Sequence, residues 1–119
     1  MKVKVGQTVP YFEFLDGIEG KSSYDLRNRW HIIIYKSSKL DLSDKEEELE
    51  KAGIKLIDYI QILTKDLLDK IDIKNKDEFL ILIDRYGVIN YMAEGENLPN
   101  FENIMETIQF IEDEGCCSL

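Results

Sequence analysis

Apolar and polar positions fall into short blocks whose period changes along the chain. Tyr11-Phe12-Glu13-Phe14-Leu15 reads as a strand, and Asp16-Gly17-Ile18-Glu19-Gly20-Lys21 as a turn into Ser22-Ser23-Tyr24, so the pair predicts a hairpin. His31-Ile32-Ile33-Ile34-Tyr35 is a continuous, mostly β-branched run, the pattern of a strand buried on both faces. Ser43-Asp44-Lys45-Glu46 fits a capping box and predicts a helix from about residue 44 to Ala52, stopped by Gly53. Ile54 to Ile60 is a second strand, and Thr64 is placed to cap a short helix carrying Leu67, Leu68 and Ile71. A polar connection, Asp72 to Asp77, leads to a third apolar strand, Phe79-Leu80-Ile81-Leu82-Ile83. Asp84-Arg85-Tyr86-Gly87 then makes a tight turn and Val88 to Met92 an antiparallel return. A last helix starts near Pro99, with Phe101, Ile104, Met105, Ile108 and Ile111 on one face and Gly115 positioned to end it.

From residue 31 the order is β-α-β-α-β-β-α, preceded by a hairpin. Two right-handed crossovers, a hairpin and a closing helix describe an α/β protein, a three-layer sandwich of thioredoxin type. No repeat or linker interrupts the pattern, so residues 1–119 are expected to form a single domain.

Composition narrows the partners. A hydrophobic fraction of 44% with 33% charged residues is that of a soluble globular domain. No apolar run approaches the ~18 residues of a membrane span, and the start, Met1 to Gly6, has no stretch of signal-peptide length. The expected location is therefore cytoplasmic, with reduced thiols. A net charge of -9 repels nucleic-acid phosphates and anionic lipids, which argues against both as partners. The fifteen basic residues look scattered, and Arg27, Arg29 and Arg85 fall in predicted turns as solvated side chains.

Several stretches carry a family likeness. Val5-Gly6-Gln7-Thr8-Val9-Pro10-Tyr11-Phe12 resembles the V-G-x-x-x-P-x-F opening of peroxiredoxins and related redoxins (the AhpC/TSA group). Asp16 and Gly20-Lys21, then Asp25 to Trp30, resemble the family's approach to its first central strand. Phe79 to Tyr91 is similar to the F-L-I-D-x-x-G-x-I-x-Y hairpin near the family's end. The resemblance implies a redox cysteine in the loop after the first central strand, at the opening of the next helix, where backbone amides and the helix dipole stabilise a thiolate. Here that segment, Lys36 to Glu46, contains no cysteine, and the T-P-x-x-C pattern is absent. The resemblance also implies a cis-proline before the strand of the final hairpin; the matching stretch is Asn75-Lys76-Asp77-Glu78-Phe79.

The two cysteines, Cys116 and Cys117, lie side by side after Glu112, Asp113 and Glu114. Acidic neighbours disfavour a thiolate, and a vicinal disulfide would close a strained eight-membered ring. They are nonetheless the chain's candidate redox pair, acting with a thiol-bearing protein partner. Metal binding would need a partner chain to complete four ligands, since only one histidine is present, so no metal and no cofactor is expected. Cys116-Cys117-Ser118-Leu119 matches the C-a-a-X prenylation pattern formally, without the basic upstream residues that aid anchoring. His31 reads as a hydrogen-bonded strand-end residue, and Lys36-Ser37-Ser38-Lys39 as a loop able to receive a small anion at the carboxyl end of the first strand. Two readings follow. One is a redoxin-like protein without the standard cysteine, any thiol-disulfide role resting on Cys116 and Cys117; the other is a non-enzymatic binding or scaffold module, expected as a homodimer or with an acidic-tolerant partner.

Overall fold

β3 (His31–Lys36) is the centre of the molecule, with His31 to Tyr35 all buried. The structure, a computed structural model, describes the backbone of residues 2–117 and the side chains of residues 2–111. β3 lies between β4 (Ile54–Asp58), to which it is parallel, and β5 (Phe79–Ile83), to which it is antiparallel. β6 (Ile89–Glu94) completes the sheet beside β5, giving the order β4-β3-β5-β6. Because side chains alternate along a strand, β3 feeds two cores. Ile32 and Ile34 join Phe12, Phe14, Leu67, Leu68, Ile71 and Ile73 on one face. Ile33 and Tyr35 join Leu49 of α2 (Glu46–Lys51) and Ile104 and Ile108 of α3 (Phe101–Cys117) on the other.

The N-terminal hairpin forms as expected, from β1 (Glu13–Asp16) and β2 (Glu19–Ser22), with Gly17 at φ +69 in its two-residue loop. A single turn, α1 (Ser23–Leu26), follows, tied by the Asp25 carboxylate accepting from the Ser22 N–H at 2.8 Å. The Asp84–Gly87 turn closes through Gly87 N–H to Asp84 C=O at 3.0 Å, with Gly87 at φ +87. Asn100 caps α3, its side chain accepting from the Asn103 N–H at 2.8 Å.

Four expectations are corrected. The capping box at Ser43 does not form: Asp41 accepts from both the N–H and the hydroxyl of Ser43, and Ser43–Lys45 is a 3-10 turn ahead of α2. Thr64 does not cap a helix either, because its hydroxyl accepts from the Glu13 N–H at 2.8 Å; Leu67–Lys70 is a 3-10 turn, too short a segment to sustain an α-helix. The connection from β4 to β5 is therefore no second parallel crossover, and β5 runs against β3. Gly115 does not end α3, which continues to Cys117. The thioredoxin-type α/β class stands, with α2 and α3 covering one face and the hairpin and the Leu67–Lys70 turn the other. Among the described residues no helix is long and apolar enough to cross a membrane.

Ile33, completely buried, should cost about 2–5 kcal/mol of stability on Ile33→Ala. Ile18, fully exposed at the hairpin tip, should cost under about 0.5 kcal/mol on Ile18→Ala. Urea unfolding of the two variants checks the contrast.

Candidate functional site

The register that places Lys36 opposite Phe79 brings the loop after β3 against the residue before β5. There the Glu78 carboxylate is gripped by two serines. Ser37 Oγ donates to Glu78 Oε2 at 2.5 Å, and Ser38 donates to Oε1 through its N–H at 2.9 Å and its hydroxyl at 2.5 Å. Ser37 Oγ also accepts from the N–H groups of Lys39 and Leu40, so one hydroxyl folds the loop and binds the carboxylate. From below, Asn75 Oδ1 accepts from the Glu78 N–H at 3.1 Å, and the Glu78 carbonyl accepts from Gly95 at 2.8 Å. These bonds favour the ionised carboxylate and hold Glu78 at a pKa of about 2, the Ser37 bond contributing most.

The surroundings are acidic as well as serine-rich. Asp41, three residues further along the loop, is held below the usual carboxylate range by the Ser43 hydroxyl and N–H. Burial pushes the Tyr35 hydroxyl up, with Asp58, Asp41 and Glu46 adding to the shift. With its serine donors taken up by Glu78 and Asp41, such a site opposes a second anion. The small anion expected at Lys36-Ser37-Ser38-Lys39 has a counterpart in the chain itself, the carboxylate of Glu78.

No family model matches the sequence, and no curated protein matches it. Solved structures do match in shape. The reduced 2-Cys peroxiredoxin of Plasmodium vivax superposes with a TM-score of 0.72 at 12% identity, covering 93% of this chain and 98% of that one. AhpC of Mycobacterium tuberculosis gives 0.68 at 10% identity, over 96% of both chains. Thioredoxin peroxidase I of Plasmodium yoelii gives 0.64 at 14% identity, over 93% of this chain and 90% of that one. The fold is the thioredoxin-like fold of peroxiredoxins.

Within this peroxiredoxin-like fold, the sequence-identified residues fall in different places. Cys116 and Cys117 lie outside the residues whose side chains the structure describes. His31, 4% exposed, accepts at Nδ1 from the Arg85 N–H at 3.1 Å, a strand-end bond at the far end of β3 from the serine loop. Glu78 was named in the sequence only within Asn75 to Phe79, the stretch matching the family's cis-proline position, and not as a functional side chain. A parallel β5 would have put Asp84 beside the loop instead, so the expected topology concealed it.

Glu78 has its folded-state pKa lowered from 4.5 to about 2, so its contribution is present above the unfolded value and is lost as pH falls towards the folded one. Glu78→Gln should lower the urea midpoint near pH 7, and its deficit relative to the native chain should shrink as pH drops from about 5 to about 2. An equal deficit at both ends of that range would mean that the carboxylate charge is irrelevant to the loop.

Proposed function

We propose that this is a redoxin-like domain whose standard site has given up thiol chemistry, any thiol-disulfide role resting on Cys116 and Cys117. The observation that supports it is the pair of serines bound to Glu78 at the carboxyl end of β3, where redoxins place a reactive cysteine. A serine hydroxyl with no base beside it is neither ionised nor readily oxidised. Glu78 is no such base, because at a pKa of about 2 it has little affinity for the Ser37 proton.

The tail pair would work by exchange. A Cys116 or Cys117 thiolate attacks a partner's disulfide, the S–S bond breaks, and the partner leaves as one thiolate with its other sulfur held in a mixed disulfide. Resolution by the adjacent cysteine closes a strained eight-membered ring and frees the partner as a dithiol; attack by the thiolate of a second thiol-bearing partner on the held sulfur instead restores the tail thiol and leaves the two partners joined by a disulfide. This supports a thiol-bearing protein partner. The second reading, a binding or scaffold module, is supported by two large apolar side chains left in solvent, Ile18 and Ile60.

Any hydroperoxide consumption with dithiothreitol should be lost when both tail cysteines are replaced by serine; activity surviving Cys116→Ser/Cys117→Ser overturns the proposal. Reaction of the native thiols with a disulfide reagent near pH 7 faster than free cysteine, or a disulfide-linked dimer under mild oxidant, supports exchange. Slow reaction with unchanged quaternary state favours the scaffold.

The standard site itself can be probed by Ser43→Cys in the Cys116→Ser/Cys117→Ser background. Ser43 opens the helical segment ahead of α2, and its hydroxyl lies 2.6 Å from Asp41 Oδ1. A thiol there faces a carboxylate, so its pKa should rise above about 8.5 and its reaction near pH 7 should be no faster than that of free cysteine. Fast reaction would overturn the view that the loop is closed to thiol chemistry.

A further inference from the structure

The end of β3 opposite the serine loop carries a feature that the redoxin reading leaves unused. All three arginines of this acidic chain gather there: Arg27 and Arg29 just before β3, and Arg85 in the turn after β5, where the Asn28 N–H donates to the Arg85 carbonyl at 2.6 Å. Solvated turn residues were expected; the arrangement is more specific. The Arg27 guanidinium lies over the Tyr24 ring, 5.0 Å from its centroid, and flat against Gly87, whose missing Cβ would sit 2.7 Å from Arg27 Nη2. Arg27 Nε is buried without a hydrogen-bond partner.

Arg27, Arg29, Lys21, Tyr24 and Trp30 line one cavity of about 540 Å³, within the size range of small-molecule sites. Asn28, between the two arginines, takes a left-handed φ of +69, and both of its neighbours reach the cavity. Two acids line it too, and one is committed elsewhere: Asp25 accepts from the Ser22 N–H and hydroxyl, while Glu19 stands on β2. Lys21 is paired with Asp16 at 2.7 Å. Arg27 and Arg29 have no carboxylate partner among the described residues, which leaves two planar, permanently charged donor forks beside two aromatic rings.

We propose that this cavity binds a small phosphate-bearing molecule, with Arg27 and Arg29 holding the phosphate and Trp30 forming the apolar side. Guanidinium forks match phosphate oxygens two at a time, which suits this class of anion. The chain's charge of -9 repels an extended polyanion, so a compact ligand fits and a nucleic acid does not.

Trp30 is the only tryptophan of the chain and lines this cavity, so its fluorescence reports on the cavity wall. Titration of the native protein with pyrophosphate and with ADP should give saturable changes, while sodium chloride at matched ionic strength and adenosine should not. Arg29→Ala, at an exposed position, and Arg27→Lys, which keeps the charge but loses the fork, should each weaken binding about tenfold or more, the worth of a charged hydrogen bond. Calorimetry with pyrophosphate repeats the test without depending on Trp30. A response that tracks ionic strength alone, the absence of both signal and heat, or unchanged affinity in Arg29→Ala overturns the proposal. Adenosine binding as tightly as ADP would move recognition off the phosphate and overturn it as well.

Discussion

The antiparallel pairing of β3 with β5 determines what meets at each end of the molecule. With Lys36 opposite Phe79 and Ile32 opposite Ile83, the loop after β3 must meet the residue before β5, and the segment before β3 must meet the turn after β5. Both faces of these strands are apolar, so hydrophobic alternation alone would tolerate a one-residue slip. The polar ends do not. At one end a slip would carry Ser37 and Ser38 away from Glu78; at the other it would part His31 Nδ1 from the Arg85 N–H. Register is thus held by a few directional bonds at the rims of a core that supplies most of the stability but little of the positional information.

At the serine rim, charge is handled by hydrogen-bond donors more than by cations. Two hydroxyls and one N–H satisfy Glu78, with Lys39 a smaller influence, and the Asp41 carboxylate nearby is treated alike by Ser43. This is the reverse of what a reactive thiolate needs, since a thiolate is drawn down by positive potential at a helix N-terminus or a cationic neighbour. The chemistry of the loop is set by its residues and not by the fold alone. Here the residue types around it favour an anchored carboxylate.

Much of the framework was legible in the residues. The run His31 to Tyr35 declared a doubly buried strand, the Phe79 to Ile83 strand was bounded to the residue, and the turn at Asp84 to Gly87 followed from its own chemistry. What escaped was the choice between competing hydrogen-bond partners and the direction of one strand. Ser43 and Thr64 look like caps, but each has an alternative partner, Asp41 two residues away and the Glu13 N–H fifty-one residues away, and the sequence does not reveal which bond wins. The direction of β5 was lost for a related reason: Leu67, Leu68 and Ile71 suggested a crossover helix, whereas the segment packs as a 3-10 turn under the hairpin. The family resemblance drew attention to the stretch ending at Glu78, but its grip by Ser37 and Ser38 is seen only once that direction is known.

The two rims differ in their choice of cation, and the difference is physical. Lysine supplies the positive charge everywhere else in the chain, including Lys36 and Lys39 beside the serine loop, where compact ammonium groups need only sit in solvent near carboxylates. Arginine appears only at the opposite rim. At position 27 the reason is visible: a planar guanidinium can lie between the Tyr24 ring and the bare α-carbon of Gly87, and an ammonium on a flexible stem cannot. That packing in turn requires glycine at 87 on two counts, its positive φ and the space taken by Arg27. A turn that looked like simple hairpin punctuation is therefore also the support behind Arg27, a residue that lines the charged cavity, and the geometry that closes the β5–β6 hairpin holds that side chain in place.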